Sequence, residues 1–134
     1  MKFKFLVVLA LLAFKTNAQK GEKISTIDFV EILNKNHAEA EYYYKNNWKK
    51  LRQTALEKGY IHSFEIIETK ATEDAPFHII LVTTYANMEK YKPRESHFQE
   101  LIKASGGLKL LNDKKPNEFR KTVFNKEMAQ HWIK

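Results

Sequence analysis

Between Ile27 and Leu33 (IDFVEIL) apolar residues fall on both parities, Ile27, Phe29 and Leu33 on one and Val30 and Ile32 on the other. That predicts a strand with both faces covered. The period then changes. Ala40, Tyr44, Trp48, Leu51 and Ala55 recur at spacings of four, four, three and four, the apolar stripe of a helix. Asn36 with Glu39 three residues on has the spacing of a capping box, and Gly59 offers the left-handed stop. Within the helix stands the run Tyr42-Tyr43-Tyr44. Consecutive helical residues point about 100° apart, so the three rings cannot share one core. Tyr44 and Trp48 belong to the inward stripe. Tyr42 and Tyr43 flank it, each with a hydroxyl that needs water, a neighbour or a ligand.

Beyond Gly59, Tyr60–Glu68 (YIHSFEIIE) and Phe77–Tyr85 (FHIILVTTY) read as two strands joined by a polar connection ending in Pro76. Asn87 caps a second helical region, and Pro93 begins a new segment carrying Phe98, Leu101 and Ile102 before Gly106-Gly107 ends it. Glu118–Phe124 (EFRKTVF) is the fourth strand. The order β-α-β-β-α-β is the ferredoxin-like split pattern, an α+β fold whose four-stranded antiparallel sheet carries its helices on one face. In the third strand Phe77, Ile79, Leu81 and Tyr85 occupy one parity and Ile80 and Val82 the other. Two helices cover only one sheet face, so a second subunit packed sheet to sheet is expected over the other. Which parity meets the helices stays open.

The first residues belong to a different class. MKFKFLVVLALLAFKTNAQ has basic residues at Lys2 and Lys4, an apolar run from Phe5 to Phe14 too short to span a bilayer, and small or polar residues at Thr16-Asn17-Ala18. Residues 1–18 therefore read as a signal peptide cut after Ala18, and residues 19–134 as a single α+β domain that is periplasmic or secreted. The chain has no cysteine, hence no lipidation site of that kind and no disulfide framework. Loss of Lys2, Lys4 and Lys15 takes the formal charge from +7 to +4. No block of five like charges remains, and no stable membrane anchor is expected after cleavage.

Candidate chemistry is sparse. The five histidines, His37, His62, His78, His97 and His131, form no HxxxH or HExxH pattern, so no metal site is expected. His62 and His78 fall at opposite ends of a hairpin. His97 has Glu100 nearly one helical turn later, a spacing that serves a proton-transfer pair or a surface salt bridge equally. There is no glycine-rich phosphate loop, no GxSxG elbow and no EF-hand loop. RNA-recognition domains share the element order, but their third strand carries glycine and aromatic residues for base stacking. FHIILVTTY has no glycine, and a nucleic-acid partner is not expected.

NNWKKLRQTALEKGYIHSFEII, LVTTYANMEKY and NEFRKTVF together resemble exported bacterial proteins of the dimeric α/β-barrel superfamily. That resemblance implies the fold and a homodimer, within a group that holds small-molecule oxygenases and haem-degrading enzymes. Haem-degrading members use an Asn on the first strand and a Trp and a His around the second helix. Asn34 stands at the first position, Tyr91 where the Trp is expected, and His97 earlier than the His. The reading that results is an exported, non-catalytic, homodimeric module without a cofactor, holding a small apolar or aromatic ligand between Tyr43, Tyr44 or Trp48 and the sheet. The alternative is a cofactor-independent oxygenase-like or haem-handling enzyme using His62, His78 or His97. A third reading, binding of acidic polysaccharide or a membrane surface, would use Lys45, Lys49, Lys50 and Arg52 on a solvated helix face.

Overall fold

The computed structural model describes residues 20–133; the expected signal segment and its cleavage site lie outside them. Four strands, β1 (Lys20–Ile32), β2 (Ser63–Glu68), β3 (Ile79–Tyr85) and β4 (Arg120–Trp132), form one antiparallel sheet in the order β2-β3-β1-β4. Between β1 and β2 runs a long helix in three parts: α1 (His37–Tyr43), a π-helical turn (Tyr44–Trp48) and α2 (Lys49–Glu57). Between β3 and β4 come α3 (Met88–Tyr91), α4 (Arg94–Ala104) and the single turn α5 (Pro116–Phe119). This is the ferredoxin-like α+β fold that the element order predicts.

Burial decides the parity that the pattern leaves open. Ile79, Leu81, Thr83 and Tyr85 of β3 and Val30 and Ile32 of β1 are buried beneath the helices. One core cluster joins Val30, Ile32, Ile79 and Leu81 to Ala40, Tyr44 and Phe119, and a second joins Ile24 and Tyr85 to Ala55, Ile61, Tyr91 and Leu101. On the opposite face, register sets Phe29 beside Ile80 and Phe124, Ile27 beside Val82, and Ile67 beside Ile80. Among the described residues no helix covers this face. Ile67 and Phe124 are 44% and 51% exposed. Phe77 precedes β3 and turns to this face, its ring 4.9 Å from that of Phe29, so it does not share the side of Ile79 as a strict alternation from residue 77 would require.

Other boundaries move as well. β1 starts seven residues before Ile27, and β4 runs eight residues past Phe124. Their outer ends pair only with each other, Lys20 opposite Trp132, because β3 stops opposite Ile24. The register of the ribbon shifts between Ala129 and Lys126, where Met128 adopts a positive φ of 54°. The ribbon is tied to the sheet by Ser25, whose Oγ lies 2.7 Å from His131 Nε2 and 2.6 Å from Thr84 Oγ1. Asn36 precedes α1 but makes no capping bond, and the expected box with Glu39 does not form. Both side chains instead hold Lys114, whose Nζ donates to Asn36 Oδ1 at 2.6 Å and Glu39 Oε1 at 2.8 Å. Asn87 does cap, accepting from the Lys90 N–H at 3.0 Å.

Candidate functional site

A π turn pairs each carbonyl one residue farther along the chain, so carbonyls at its start need other donors. Here the two asparagines of the run KNNW supply them: Asn46 Nδ2 donates to the Tyr42 carbonyl and Asn47 Nδ2 to the Tyr43 carbonyl, each at 2.9 Å. Asn47 also donates to the Lys109 carbonyl at 2.7 Å and accepts from the Lys109 N–H at 2.8 Å. Its amide thereby fastens the loop after α4 to the helix. A π turn winds more slowly than an α turn, so residues beyond it are rotated back relative to a straight α-helical count. Arg52, on the flank of the expected stripe, is brought under the helix in this way.

The aromatic residues proposed as a ligand wall do not all border one cavity. Tyr44 is 4% exposed, and burial raises its hydroxyl well above the ordinary phenol range, with the charge of Arg120 opposing. Tyr43 is half-buried against Tyr44 and Phe119, and its hydroxyl accepts from Arg120 Nη2 at 3.2 Å. Trp48 meets Phe64 of β2 edge-on at 5.9 Å. Tyr44 and Phe64 line a cavity of about 440 Å³ between the helix and the β2–β3 edge of the sheet, floored by Ile32, Ile66 and Ile79. Its mouth carries His37, Glu41, Lys45, Lys49 and Glu68, with Lys45 paired to Glu41. A second cavity of about 470 Å³ opens on the outer surface between α2 and α4 along Leu51, Leu101, Ile102 and Leu108. Among the three wall residues only Tyr44 borders the first cavity, and none borders the second.

The three candidate catalytic histidines do not converge. His62 is exposed just before β2, while His78 lies at the other end of the hairpin, where its Nδ1 accepts from the Ile32 N–H at 3.0 Å. That bond assigns the neutral His78 proton to Nε2. His37 packs edge-on against His78 with centroids 5.4 Å apart, a pair that spacing in the sequence did not reveal. The His97 ring stacks on Tyr60 at 3.7 Å, and its buried Nδ1 has no partner among the described residues. Glu100, its expected relay partner, is taken by Lys58 at 3.1 Å and by the Tyr60 hydroxyl at 3.2 Å. Lys58 holds the Glu100 carboxyl below its ordinary range. Among the described residues no three His, Asp or Glu side chains gather as a metal site.

Arg52 is the residue the sequence placed wrongly. It does not lie on a solvated helix face with Lys49 and Lys50. Its guanidinium sits 4.4 Å from the Trp48 ring centroid and 4.1 Å from that of Phe98, and Nε donates to Thr83 Oγ1 at 3.2 Å. Desolvation lowers its pKa to about 10, opposed by the charges of Tyr85 and Asp28. Among the described residues no carboxylate lies within ion-pair distance of it. Neighbouring charges are better served: Asp28 accepts from Asn125, and Glu127 receives both Arg94 and the Tyr91 hydroxyl at 2.8 Å.

The residues that a haem-handling resemblance would supply are engaged elsewhere. Asn34 occupies a left-handed turn at φ 53° with its amide 3.3 Å from the Glu118 carbonyl, Tyr91 is buried against Tyr85, and His97 is stacked on Tyr60. This arrangement does not fit the three-residue haem pattern.

No family model matches the chain, and no curated protein matches it. Among solved structures it is similar to HapK from Hahella chejuensis, with 14% identity, 81% of this chain and 91% of that chain covered, and a TM-score of 0.48. It is also similar to a protein from Nitrosomonas europaea described as an antibiotic biosynthesis monooxygenase, with 13% identity, 81% and 92% covered, and a TM-score of 0.43. These are distant likenesses in the course of the chain.

Proposed function

We propose that the protein is an exported, homodimeric binding module that holds a small apolar or aromatic molecule between the π turn and the β2–β3 edge of the sheet, without a chemical step of its own. The observation that carries this reading is the cavity of about 440 Å³, with two aromatic and three isoleucine walls and charged groups confined to its mouth. Such a cavity removes an apolar molecule from water while leaving any polar substituent at the rim. The dispersal of His62, His78 and His97 favours binding over acid–base catalysis, because a proton relay needs groups within hydrogen-bond reach. The uncovered sheet face supports the dimer, and the charged, apolar, small-residue order of residues 1–18 supports export.

Titration with 2-naphthol, a neutral aromatic probe, tests the binding reading. A saturable rise in Tm is expected. Ile66→Trp, which fills the cavity from its wall, is expected to abolish that rise with the fold retained by circular dichroism. A parent protein with no saturable response, or an Ile66→Trp variant that binds as well as the parent, overturns the reading.

A further inference from the structure

We propose that Arg52 is an anchor for the carboxylate of a small planar acid, bound in the plane of the guanidinium through its two Nη atoms. Geometry limits the approach. The guanidinium carbon lies over the Trp48 and Phe98 rings, 4.4 and 4.1 Å from their centroids, and Thr83 takes Nε at 3.2 Å. The edge formed by the two Nη atoms is what is left. These atoms have no protein partner among the described residues, yet they are not among the side-chain atoms sealed from solvent without one, which are His97 Nδ1 and Arg120 Nε. They therefore reach accessible space from a desolvated side chain.

An arginine held so is an unfinished pair. A half-buried cation gives up part of its hydration and gains more from an anion than an exposed one does, and the paired Nη–H groups match two carboxylate oxygens better than a spherical ion or a single carbonyl. The ring walls favour a planar body behind the carboxylate. Other charges nearby are committed: Arg94 to Glu127, and Asp28 to Asn125. Asp28 acts on Arg52 through its field without touching it, and would compete with a bound anion. The site stands apart from the cavity tested with 2-naphthol, so either can fail without the other.

Trp48 provides the readout. The chain has two tryptophans, and Trp132→Phe leaves Trp48 as the sole indole emitter. In that background benzoate is titrated against benzamide, which has the same shape without the charge, and against acetate, which lacks the ring. Benzoate is expected to shift Trp48 emission saturably and to bind at least tenfold more tightly than benzamide and more tightly than acetate. Arg52→Lys keeps a charge but loses the fork, and should weaken benzoate at least tenfold while leaving the 2-naphthol response unchanged. Asp28→Asn removes the competing carboxylate and should tighten benzoate severalfold; it also keeps the test decisive if Arg52 variants fail to fold. Equal binding of benzoate and benzamide, unchanged benzoate binding in Arg52→Lys, or no benzoate response in both the parent and Asp28→Asn overturns the proposal.

Discussion

Glu39 shows how a residue can be correctly noticed and wrongly employed. Its spacing from Asn36 suggested a helix cap, but its carboxylate is held by Lys114 and Asn112, and the Lys114 ammonium is the main cause that lowers its pKa from 4.5 to about 2. A carboxylate whose folded-state pKa lies below its unfolded value contributes stability at pH above about 4.5, and loses that contribution as pH falls towards about 2. Glu39→Gln should therefore lower Tm at neutral pH, with the difference from the parent shrinking below about pH 4.5 and vanishing only as pH falls below about 2. A pH-independent difference would mean that Glu39 acts by packing. Local spacing could not show this pairing, because Lys114 lies 75 residues away along the chain. Phe119 is the simpler case. It is 1% exposed where α5 enters β4, and Phe119→Ala should cost about 3–5 kcal/mol by urea unfolding, as large-to-small changes in closed cores do.

At the scale of the element, the tyrosine-rich helix was legible in its existence, its direction and the inward place of Tyr44, but its winding was not. A stripe at three- and four-residue spacings is compatible with an inserted π turn, and Asn46 and Asn47 are as ordinary on a solvated face as in a carbonyl clamp. What selects the π turn is the backbone of Lys109, which Asn47 meets with both ends of its amide. Asn47→Leu fills similar space but leaves both Lys109 backbone groups without these partners, so it should cost about 1–3 kcal/mol. Asn46→Ala, which loses one bond to Tyr42, should cost less. Urea unfolding of the two variants checks the order, and equal losses would remove the clamp as the explanation. The outer ends of β1 and β4 were missed for a related reason. Glu22, Lys23, Asn125 and Lys126 show no apolar alternation, and the pairing of these ends, Lys20 with Trp132 and Ile24 with Gln130, is set by the neighbouring strand's backbone.

For the whole molecule, the buried parity makes the dimer test asymmetric. Leu81 is 4% exposed beneath the helices, whereas Ile80 faces the uncovered side with Phe29, Ile67 and Val82 as neighbours. Leu81→Glu should unfold the chain, since it buries a carboxylate without a partner. Ile80→Glu should retain the parent circular dichroism and convert a dimer into a monomer by light scattering, because it places a charge in the proposed sheet-to-sheet contact. Each large apolar side chain on that face stands to gain up to roughly 1.5–3 kcal/mol on full burial. A parent that scatters as a monomer at micromolar concentration, or an Ile80→Glu variant that stays dimeric, removes the dimer from the proposal. Export has its own measurement: the intact mass of the mature protein should begin at Gln19, and retention of Met1 would refute cleavage.

The sequence by itself determined the order of elements, the inward place of Ala40, Tyr44 and Ala55 on the first helix and the apolar character of both sheet faces, because these depend on periodicities of two and 3.6 residues along a continuous segment. It also showed the scarcity of recognised catalytic motifs. Only the tertiary structure decided that Leu81 rather than Ile80 meets the helices, that His37 meets His78 while Glu100 turns from His97 to Lys58 and Tyr60, and that Arg52 enters the space between Trp48 and Phe98. Those contacts join residues from separate elements. Their burial and their charge environment exist only once the helices lie on the sheet, so local pattern cannot carry them.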